Sequence, residues 1–360
     1  MADKNKTRIV VGLSGGVDSS AAASLLVEQG YDVVGITLKV WPQDCVSRAE
    51  DKCCGPQAVM DARSVADKLD IPYYLVDESK EFQRDVIDYF AAEYKAGRTP
   101  NPCVMCNEKL KFGNLIDRAR KLGAEYVATG HYARLEQRNG RMVLLRGKDA
   151  RKDQTYFLFS LGQEQLAHMM FPLGELQKSE TREVARCVNL KTAEKQESQE
   201  ICFVPDKDYK KFLTTAGLVE EHRGEIVDTR GQVLGHHDGI EFYTIGQRKG
   251  LGISSPSPMY VIELDPENNR VVVGGEELLL RDEFRIDRCN WIAFDHLAKP
   301  IEASAAIRYN HPGTEATVIP GENGQATVKL REPQRAVTPG QACVFYQDDL
   351  VVGGGWIMRN

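Results

Sequence analysis

The residues Ser14-Gly-Gly-Val-Asp-Ser-Ser20 follow directly on the apolar run Ile9-Val10-Val11, and a helical pattern starts at once after them. An apolar strand that ends in a small, hydroxyl-rich glycine turn and passes straight into a helix points several backbone N–H groups, and the positive end of the helix dipole, at one spot. That is a site for a phosphate-sized anion. Gly15 and Gly16 allow positive φ and close backbone approach, and Ser14, Ser19 and Ser20 add hydroxyl donors. Asp18 is the one acidic residue in the loop; it suits a Mg²⁺ or hydrogen-bonding role, and equally the capping of the helix. No Gly-Lys-Ser/Thr follows at the spacing of the kinase P-loop. A second group of reactive residues lies in Gly97-Arg-Thr-Pro-Asn-Pro-Cys-Val-Met-Cys-Asn107. Pro100 and Pro102 stiffen this segment, which reads as an extended loop holding Cys103 and Cys106 in defined positions. Lys109 and Lys111 follow closely enough to lower a thiol pKa. A third cysteine, Cys202, stands in Ser198-Gln-Glu-Ile-Cys-Phe-Val-Pro205.

The elements that must position these residues alternate between strand and helix over the first ~130 residues, as in a doubly wound parallel α/β sheet. Strand patterns run over 7–13, 32–39, 72–77 and 125–130. Helical patterns lie between them at 19–29, 56–69, 81–95 and 112–122, and a further helical stretch covers 163–188. Ligands of such sheets collect outside the carboxyl ends of the strands, where the glycine loop, Leu38 and Gly130-His131 all fall. From about Asp206 the texture changes to short alternating strands with Gly, Pro and Asn turns. Met259–Leu264 and Arg270–Gly274, separated by Asp265-Pro-Glu-Asn-Asn, read as a hairpin. Further strands follow at 303–309, 316–319, 326–331, 342–346 and 351–357, the pattern of a small closed or sandwiched β domain. The expected organisation is an α/β domain over residues 1–205, a small central β-rich domain over 206–280 and a C-terminal β-barrel-like domain over 281–360.

Composition is that of a globular protein, 42% hydrophobic and 27% charged, with no apolar run of membrane-spanning length. Met-Ala-Asp-Lys-Asn-Lys at the start lacks the apolar stretch of a signal peptide, and nine irregularly spaced cysteines do not make a secreted disulfide framework, so a cytoplasmic protein with mostly reduced thiols is expected. The net charge of −6 excludes a chain that is basic throughout. Between Arg134 and Lys152, however, seven basic residues (Arg134, Arg138, Arg141, Arg146, Lys148, Arg151 and Lys152) stand against Glu136 and Asp149. This stripe suits either a nucleic-acid contact confined to one face or a solvated hairpin. Cys45 and the pair Cys53-Cys54 fall in a polar loop with poor metal-ligand spacing. Cys187, Cys289 and Cys343 read as core thiols.

The Ser-Gly-Gly-x-Asp-Ser form resembles the PP-loop of ATP pyrophosphatases, which split ATP between the α and β phosphates. Ser14-Gly-Gly-Val-Asp-Ser19, Asn101-Pro-Cys-Val-Met-Cys-Asn107, Thr129-Gly-His-Tyr132, Lys152-Asp-Gln-Thr-Tyr-Phe157, Ser198-Gln-Glu-Ile-Cys-Phe203, Thr244-Ile-Gly-Gln-Arg-Lys-Gly-Leu-Gly252 and Ile307-Arg-Tyr309 occur in this order. Together they resemble the tRNA-specific 2-thiouridylases, which thiolate the wobble uridine of certain tRNAs. The resemblance implies that Gly12, Leu13, Ser14, Gly15, Gly16, Val17, Asp18, Ser19, Leu38 and Gly130 bind ATP, with Mg²⁺ accompanying it. Cys202 would carry a persulfide received from a sulfur-relay protein or cysteine desulfurase, and Cys106 would close a disulfide with it as sulfur is released or transferred. Asn101, Pro102 and Cys103 would lie by the target base. His131, Lys152, Asp153, Gln154, Arg308, Tyr309 and Gln341 would contact tRNA. The chain is expected to act as a monomer.

One departure matters. Where many members of that family have Asp, this chain has Cys103, which removes a carboxylate suited to proton transfer and creates a Cys-x-x-Cys. With Cys202 it offers three thiolates, enough for a 4Fe-4S cluster with one open iron, so an iron–sulfur route stands beside the persulfide route. Another PP-loop ligase or amidase would not need Cys106 and Cys202, and a non-catalytic RNA-binding or redox-sensing protein would leave the phosphate loop unexplained.

Overall fold

The computed structural model describes residues 7–40, 55–194, 201–204 and 208–359. The expectations at Cys45, Cys53 and Cys54, and at Ser198 to Glu200, lie outside the described residues. The chain divides into two compact units, one made of Met1–Val86, Cys103–Lys207 and Asp348–Val351, the other of Ile87–Pro102, Asp208–Gln347 and Val352–Asn360.

The first unit is built on a parallel sheet. Its strands are β1 (Arg8–Gly12), β2 (Asp32–Lys39), β3 (Tyr73–Asp77) and β4 (Tyr126–Ala128). After the hairpin β5 (Ala133–Arg138) and β6 (Arg141–Arg146), the two-residue β7 (Met169–Met170) completes it. The order is β3-β2-β1-β4-β7, every neighbouring pair running parallel. Ile9, Val10 and Val11 of β1 are fully buried, as an apolar run in a sheet covered on both faces must be. Helix α1 (Val17–Glu28) follows β1 and α2 (Pro56–Leu69) precedes β3, and their apolar faces join β1 and β2 in one core through Val17, Ala23, Leu26, Ala62 and Val65. Because β2 lies on one side of β1 and β4 on the other, the chain reverses its direction of sheet growth beside β1. A crevice opens at such a switch point, outside the carboxyl ends of the strands.

Two expected elements differ. The stretch 163–188 is not one helix: it breaks into Gln163–Ala167, β7 and Lys178–Cys187. Pro172 has no N–H to continue a helix, and the Gly174 N–H turns back onto the Phe171 carbonyl at 3.1 Å. Helix resumes where Glu180 closes a capping interaction with the Gln177 N–H at 2.6 Å. The cysteine segment, in turn, is helical and not extended from Pro102 onward. Pro102–Met105 forms an α-helical turn, Cys106–Asn114 continues as wide π-helical turns, and Leu115–Lys121 returns to α-helix. Proline at the first helical position removes only an N–H that has no intrahelical partner there, so Pro102 starts this helix.

In the second unit the helix Asp88–Lys95 packs by aromatic contacts, Tyr94 stacked on Tyr209 at 4.8 Å and Phe90 edge-on to Phe212 at 6.4 Å. A four-stranded sheet contains β8 (Gly224–Asp228), β9 (Val233–His237), β10 (Tyr260–Asp265) and β11 (Arg270–Gly274) in the order β10-β11-β8-β9. The expected hairpin is the antiparallel β10–β11 pair. Strands β12 (Leu280–Trp291), β13 (Ile301–Ala306), β14 (Thr314–Pro320), β15 (Ala326–Arg335), β16 (Ala342–Gln347) and β17 (Leu350–Ile357) pair in the order β12-β15-β14-β13-β16-β17, and β12 also pairs with β17, which closes a barrel. Its interior holds Phe284, Ile286, Val318, Val328, Cys343, Phe345 and Val352.

Phe345 is fully buried and stacks on Trp291 at 5.9 Å. Phe345→Ala removes both the burial and the stack, so unfolding of the barrel, followed by tryptophan fluorescence in urea, should lose about 3–5 kcal/mol.

Candidate active site

The loop between β1 and α1 holds its shape by its own hydrogen bonds. The Ser14 N–H donates to Ser19 Oγ at 3.1 Å, the two hydroxyl oxygens lie 3.1 Å apart, and Ser19 Oγ donates to the Gly16 carbonyl at 3.1 Å. Thr37 of β2 donates its hydroxyl to the Leu13 carbonyl at 2.7 Å, tying the loop to the neighbouring strand. Gly15 takes a φ of +69°, and a methyl group there would stand 2.2 Å from the Ala58 carbonyl oxygen, so only glycine fits. Gly130, just beyond β4, presses backbone against the first turn of α1: a Cβ there would lie 2.6 Å from the Asp18 carbonyl carbon and 2.7 Å from Ser19 N. Gly12, Leu13, Ser14, Gly15, Gly16, Val17, Asp18, Ser19 and Gly130 are thereby brought together. Leu38 sits at the carboxyl end of the adjacent β2, half-buried. Ser20 is a correction. It is fully buried, and its hydroxyl donates to the Gly16 carbonyl at 2.8 Å, so it is turned inward and offers nothing to a ligand.

Asp18 is held by a group that no motif marks. The Lys178 ammonium, at the start of the helix Lys178–Cys187, lies 2.6 Å from Asp18 Oδ1 and 5.6 Å from the centre of the Tyr132 ring. The Tyr132 hydroxyl stands 3.0 Å from the same carboxylate oxygen and 2.9 Å from Thr181 Oγ1. That helix docks on α1 through Ala21, Ala22, Tyr132, Leu173 and Val184. The anion cradle therefore carries a cation whose charge offsets Asp18, a pairing across 160 positions of sequence. No local pattern could have revealed it. Asp18 is thus engaged by a lysine, and among the described residues no group of three His, Cys, Asp or Glu side chains is arranged to hold a metal ion.

Cys103 and Cys106 stand on the first turns of the cysteine helix, and Cys202 in the turn closed by the Val204 N–H on the Ile201 carbonyl. All three are half-buried thiols outside any disulfide. Phe203, the neighbour of Cys202, is buried edge-on against Phe82 at 5.7 Å, and Asn107, the neighbour of Cys106, donates Nδ2–H to the Phe157 carbonyl at 3.1 Å. Cys106 and Cys202 are therefore each anchored through the residue that follows. Burial of the Cys103 thiol pushes its pKa up to about 11, the Cys106 sulfur adding to the shift and Lys111 opposing it. Cys103 is thus a protonated, neutral thiol. Among the described residues Cys103, Cys106 and Cys202 do not form a group of three side chains placed to hold a metal ion.

The expected RNA contacts divide by accessibility. Lys152 is half-exposed, but Asp153 is buried, accepting from the Gly147 N–H at 3.1 Å and pairing with Arg146 at 3.1 Å. Burial raises the Asp153 pKa against those hydrogen bonds. Gln154 clasps the Tyr132 backbone, its N–H donating to the Tyr132 carbonyl at 3.0 Å and its Oε1 accepting from the Tyr132 N–H at 3.1 Å. His131 hydrogen-bonds Thr129 at 2.8 Å and lies near the rings of Phe112 and Phe171. Burial, with Lys111 nearby, holds its pKa well below the ordinary value, so it is a neutral imidazole at pH 7. In the second unit Asn101 and Pro102 are buried, Arg308 and Tyr309 are exposed beyond β13, and the Gln341 amide donates to the carbonyls of Thr99 at 3.1 Å and Pro100 at 3.0 Å. Gln341 therefore fixes the backbone just ahead of Pro102. Cys187 corrects a further expectation. It is exposed, because it lies two residues from the buried Ala185 and so on the opposite side of its helix.

The model of a tRNA methyl transferase HUP domain matches residues 7–206, that of a tRNA methyl transferase PRC-barrel domain matches 210–275, and that of an aminomethyltransferase beta-barrel domain matches 281–357. The class is therefore a PP-loop, HUP-type nucleotide-binding sheet followed by two β domains. The tRNA-specific 2-thiouridylase MnmA of Clostridium perfringens is 50% identical over 353 residues, covering 98% of each chain. That of Moorella thermoacetica is 51% identical over 351 residues, covering 97% of this chain and 98% of its own. Thermoanaerobacter pseudethanolicus has a relative of the same description, 49% identical over 361 residues and 99% of each chain. The chain belongs to the tRNA-specific 2-thiouridylase family, and it is a tRNA-uridine 2-sulfurtransferase.

Two measurements test this geometry. Lys178→Met leaves Asp18 as an uncompensated negative charge beside the phosphates, so the ATP KM should rise about tenfold or more while the circular-dichroism spectrum stays that of the parent. At pH 8 a thiol of pKa about 11 is alkylated by iodoacetamide about a hundredfold more slowly than one at the ordinary value of 9.0. Peptide mapping should therefore show Cys103 labelling only as pH climbs toward 11.

Proposed function

We propose that this chain thiolates C2 of the wobble uridine of tRNA by adenylation followed by sulfur transfer from a cysteine persulfide. The observation that carries the reading is the conjunction, within one unit, of a glycine cradle shaped for an anion with two partly accessible thiols, Cys106 and Cys202. In the first step the C2 oxygen attacks the α-phosphorus of ATP and pyrophosphate leaves. The loop N–H groups would hold the phosphates, with Lys178 offsetting the charge of Asp18 beside them. Mg²⁺ would arrive on ATP and neutralise the phosphates, since Asp18 is engaged by Lys178.

In the second step the terminal sulfur of a Cys202 persulfide attacks C2, and AMP departs with the former carbonyl oxygen. The Cys106 thiolate then attacks Cys202 Sγ. The S–S bond breaks, 2-thiouridine is released, and a Cys106–Cys202 disulfide forms, which two electrons from a thiol reductant reopen. A persulfide-carrying relay protein or a cysteine desulfurase recharges Cys202. The reading places the chain in the cytoplasm with its tRNA; among the described residues no helix is long and apolar enough to cross a membrane.

The test is 2-thiouridine formation in unmodified tRNA by metal-stripped protein given ATP, Mg²⁺ and a persulfide donor. The parent should form product, and Cys106→Ser and Cys202→Ser should each fall by about a thousandfold or more. Full activity of either variant, or activity only after iron and sulfide are restored anaerobically, would sink the proposal.

A further inference from the structure

Residues Thr244 to Gly252, the Ile-Gly-Gln-Arg-Lys-Gly-Leu-Gly loop, take no part in the chemistry above, yet the structure holds them rigidly. Gln247 is the clasp. Its Oε1 accepts from the Thr244 N–H at 3.2 Å, its Nε2 donates to the Lys249 carbonyl at 2.9 Å, and its backbone carbonyl accepts from the Val261 N–H at 2.9 Å. The Gly246 N–H donates back to the Val261 carbonyl at 2.8 Å, and Leu251 is buried beneath the loop. Positive φ at Gly246 (+85°) and Gly250 (+74°) makes the two sharp turns between which Arg248 and Lys249 stand exposed.

Their charge is uncompensated. Arg134, Arg146, Arg270 and Arg335 each face a carboxylate within 3.3 Å, whereas neither Arg248 nor Lys249 enters an ion pair among the described residues. From Phe242 to Ile262 the chain has no Asp or Glu at all, on a protein of net charge −6. Beside the pair lies an open cavity of about 240 Å³, lined by Arg248, Gly250, Gly252, Ser255, Ser257 and Met259. A guanidinium, serine side chains and the backbone of a glycine turn are groups that take phosphate oxygens.

We infer that this loop is a contact for the tRNA sugar–phosphate backbone, with Arg248 and Lys249 each facing a phosphate and the serine-lined cavity receiving one of them. The inference rests on the proposed tRNA reading. An RNA backbone suits the loop better than a free anion because the two cations are adjacent, exposed and carried on a hydrogen-bonded backbone, so a repeating polyanion engages both with little loss of backbone freedom. Contacts of this kind fix register without reading sequence.

The experiment measures binding of unmodified tRNA to the full-length protein between about 50 and 200 mM salt, for the parent and for Arg248→Gln, Lys249→Gln and the double variant. The slope of log affinity against log salt should flatten by about 1 for each residue neutralised, with the double variant binding about tenfold more weakly at the lower salt. The KM for tRNA should rise in step while the affinity for ATP does not move. Arg230→Gln, an exposed arginine elsewhere in the same unit, should shift neither quantity. An unchanged slope and affinity in the double variant overturns the inference alone, and so does poly-glutamate displacing tRNA from the parent at equal charge. A parent that binds no tRNA removes the proposed function and this inference with it.

Discussion

The catalytic unit depends on backbone pressed against backbone where a side chain would ordinarily keep them apart. Gly15 lies against the carbonyl of Ala58, and Gly130 against the peptide joining Asp18 to Ser19. These contacts fix the first turn of α1 between the ends of β1 and β4, so the loop N–H groups have one direction to point. Serine hydroxyls complete the loop from inside, and Lys178 completes it electrostatically from another helix. The shape of the cradle is therefore set by the protein's own contacts. A methyl group at either glycine would force Ala58 or the start of α1 to move, and the parallel strands leave no room for that.

The cysteine helix solves a different problem. A thiol must reach a reacting centre without being exposed to every oxidant, and half-burial on a helix does this better than an extended loop. Pro102 starts the helix, Gln341 holds the backbone ahead of it, and the wide turns from Cys106 to Asn114 set the spacing of the side chains that follow. Wide π-helical turns often mark functional sites, because an added residue per turn displaces a side chain from the regular helical face. Cys103 next to them is neutral, which separates its role from that of an aspartate. It can donate an S–H hydrogen bond or fill space, but it carries no negative charge at neutral pH.

Much of this was legible in the sequence because the signals were local. Apolar runs gave β1 and β2, the Ser-Gly-Gly-Val-Asp-Ser turn gave the cradle, and Asp265-Pro-Glu-Asn-Asn gave the β10–β11 hairpin. What escaped was non-local or too short. The β7 strand is two residues long, held in the sheet by its pairing with β4, and its neighbours share the apolar periodicity of a helix. The twelve residues of β12 carry only Phe284 and Ile286 as buried side chains, so its charged face hid it, although its pairing with β17 closes the barrel. The Lys178–Asp18 pair joins residues that only the tertiary fold brings together. The extended reading fails from Pro102 onward for a local reason: one proline at a first helical position starts a helix as readily as it stiffens a loop.

The basic stripe shows that composition alone overstates the charge left for an RNA surface. Of its seven cations, Arg134 pairs with Asp349 at 2.6 Å, Arg138 with Glu136 at 2.8 Å and Arg146 with Asp153 at 3.1 Å. Those charges brace the β5–β6 hairpin and its flanks, while Lys148 and Arg151 remain exposed to solvent. A polyanion gains little from a guanidinium already matched to a carboxylate, since binding it must first break that pair or accept the repulsion of the acid. What attracts RNA is the charge left over after internal pairing, presented on backbone that is already ordered. By that criterion the Arg248-Lys249 loop outranks most of a stripe with more than three times its cations. An acidic protein can then bind a nucleic acid through a few uncompensated positions rather than through its net charge.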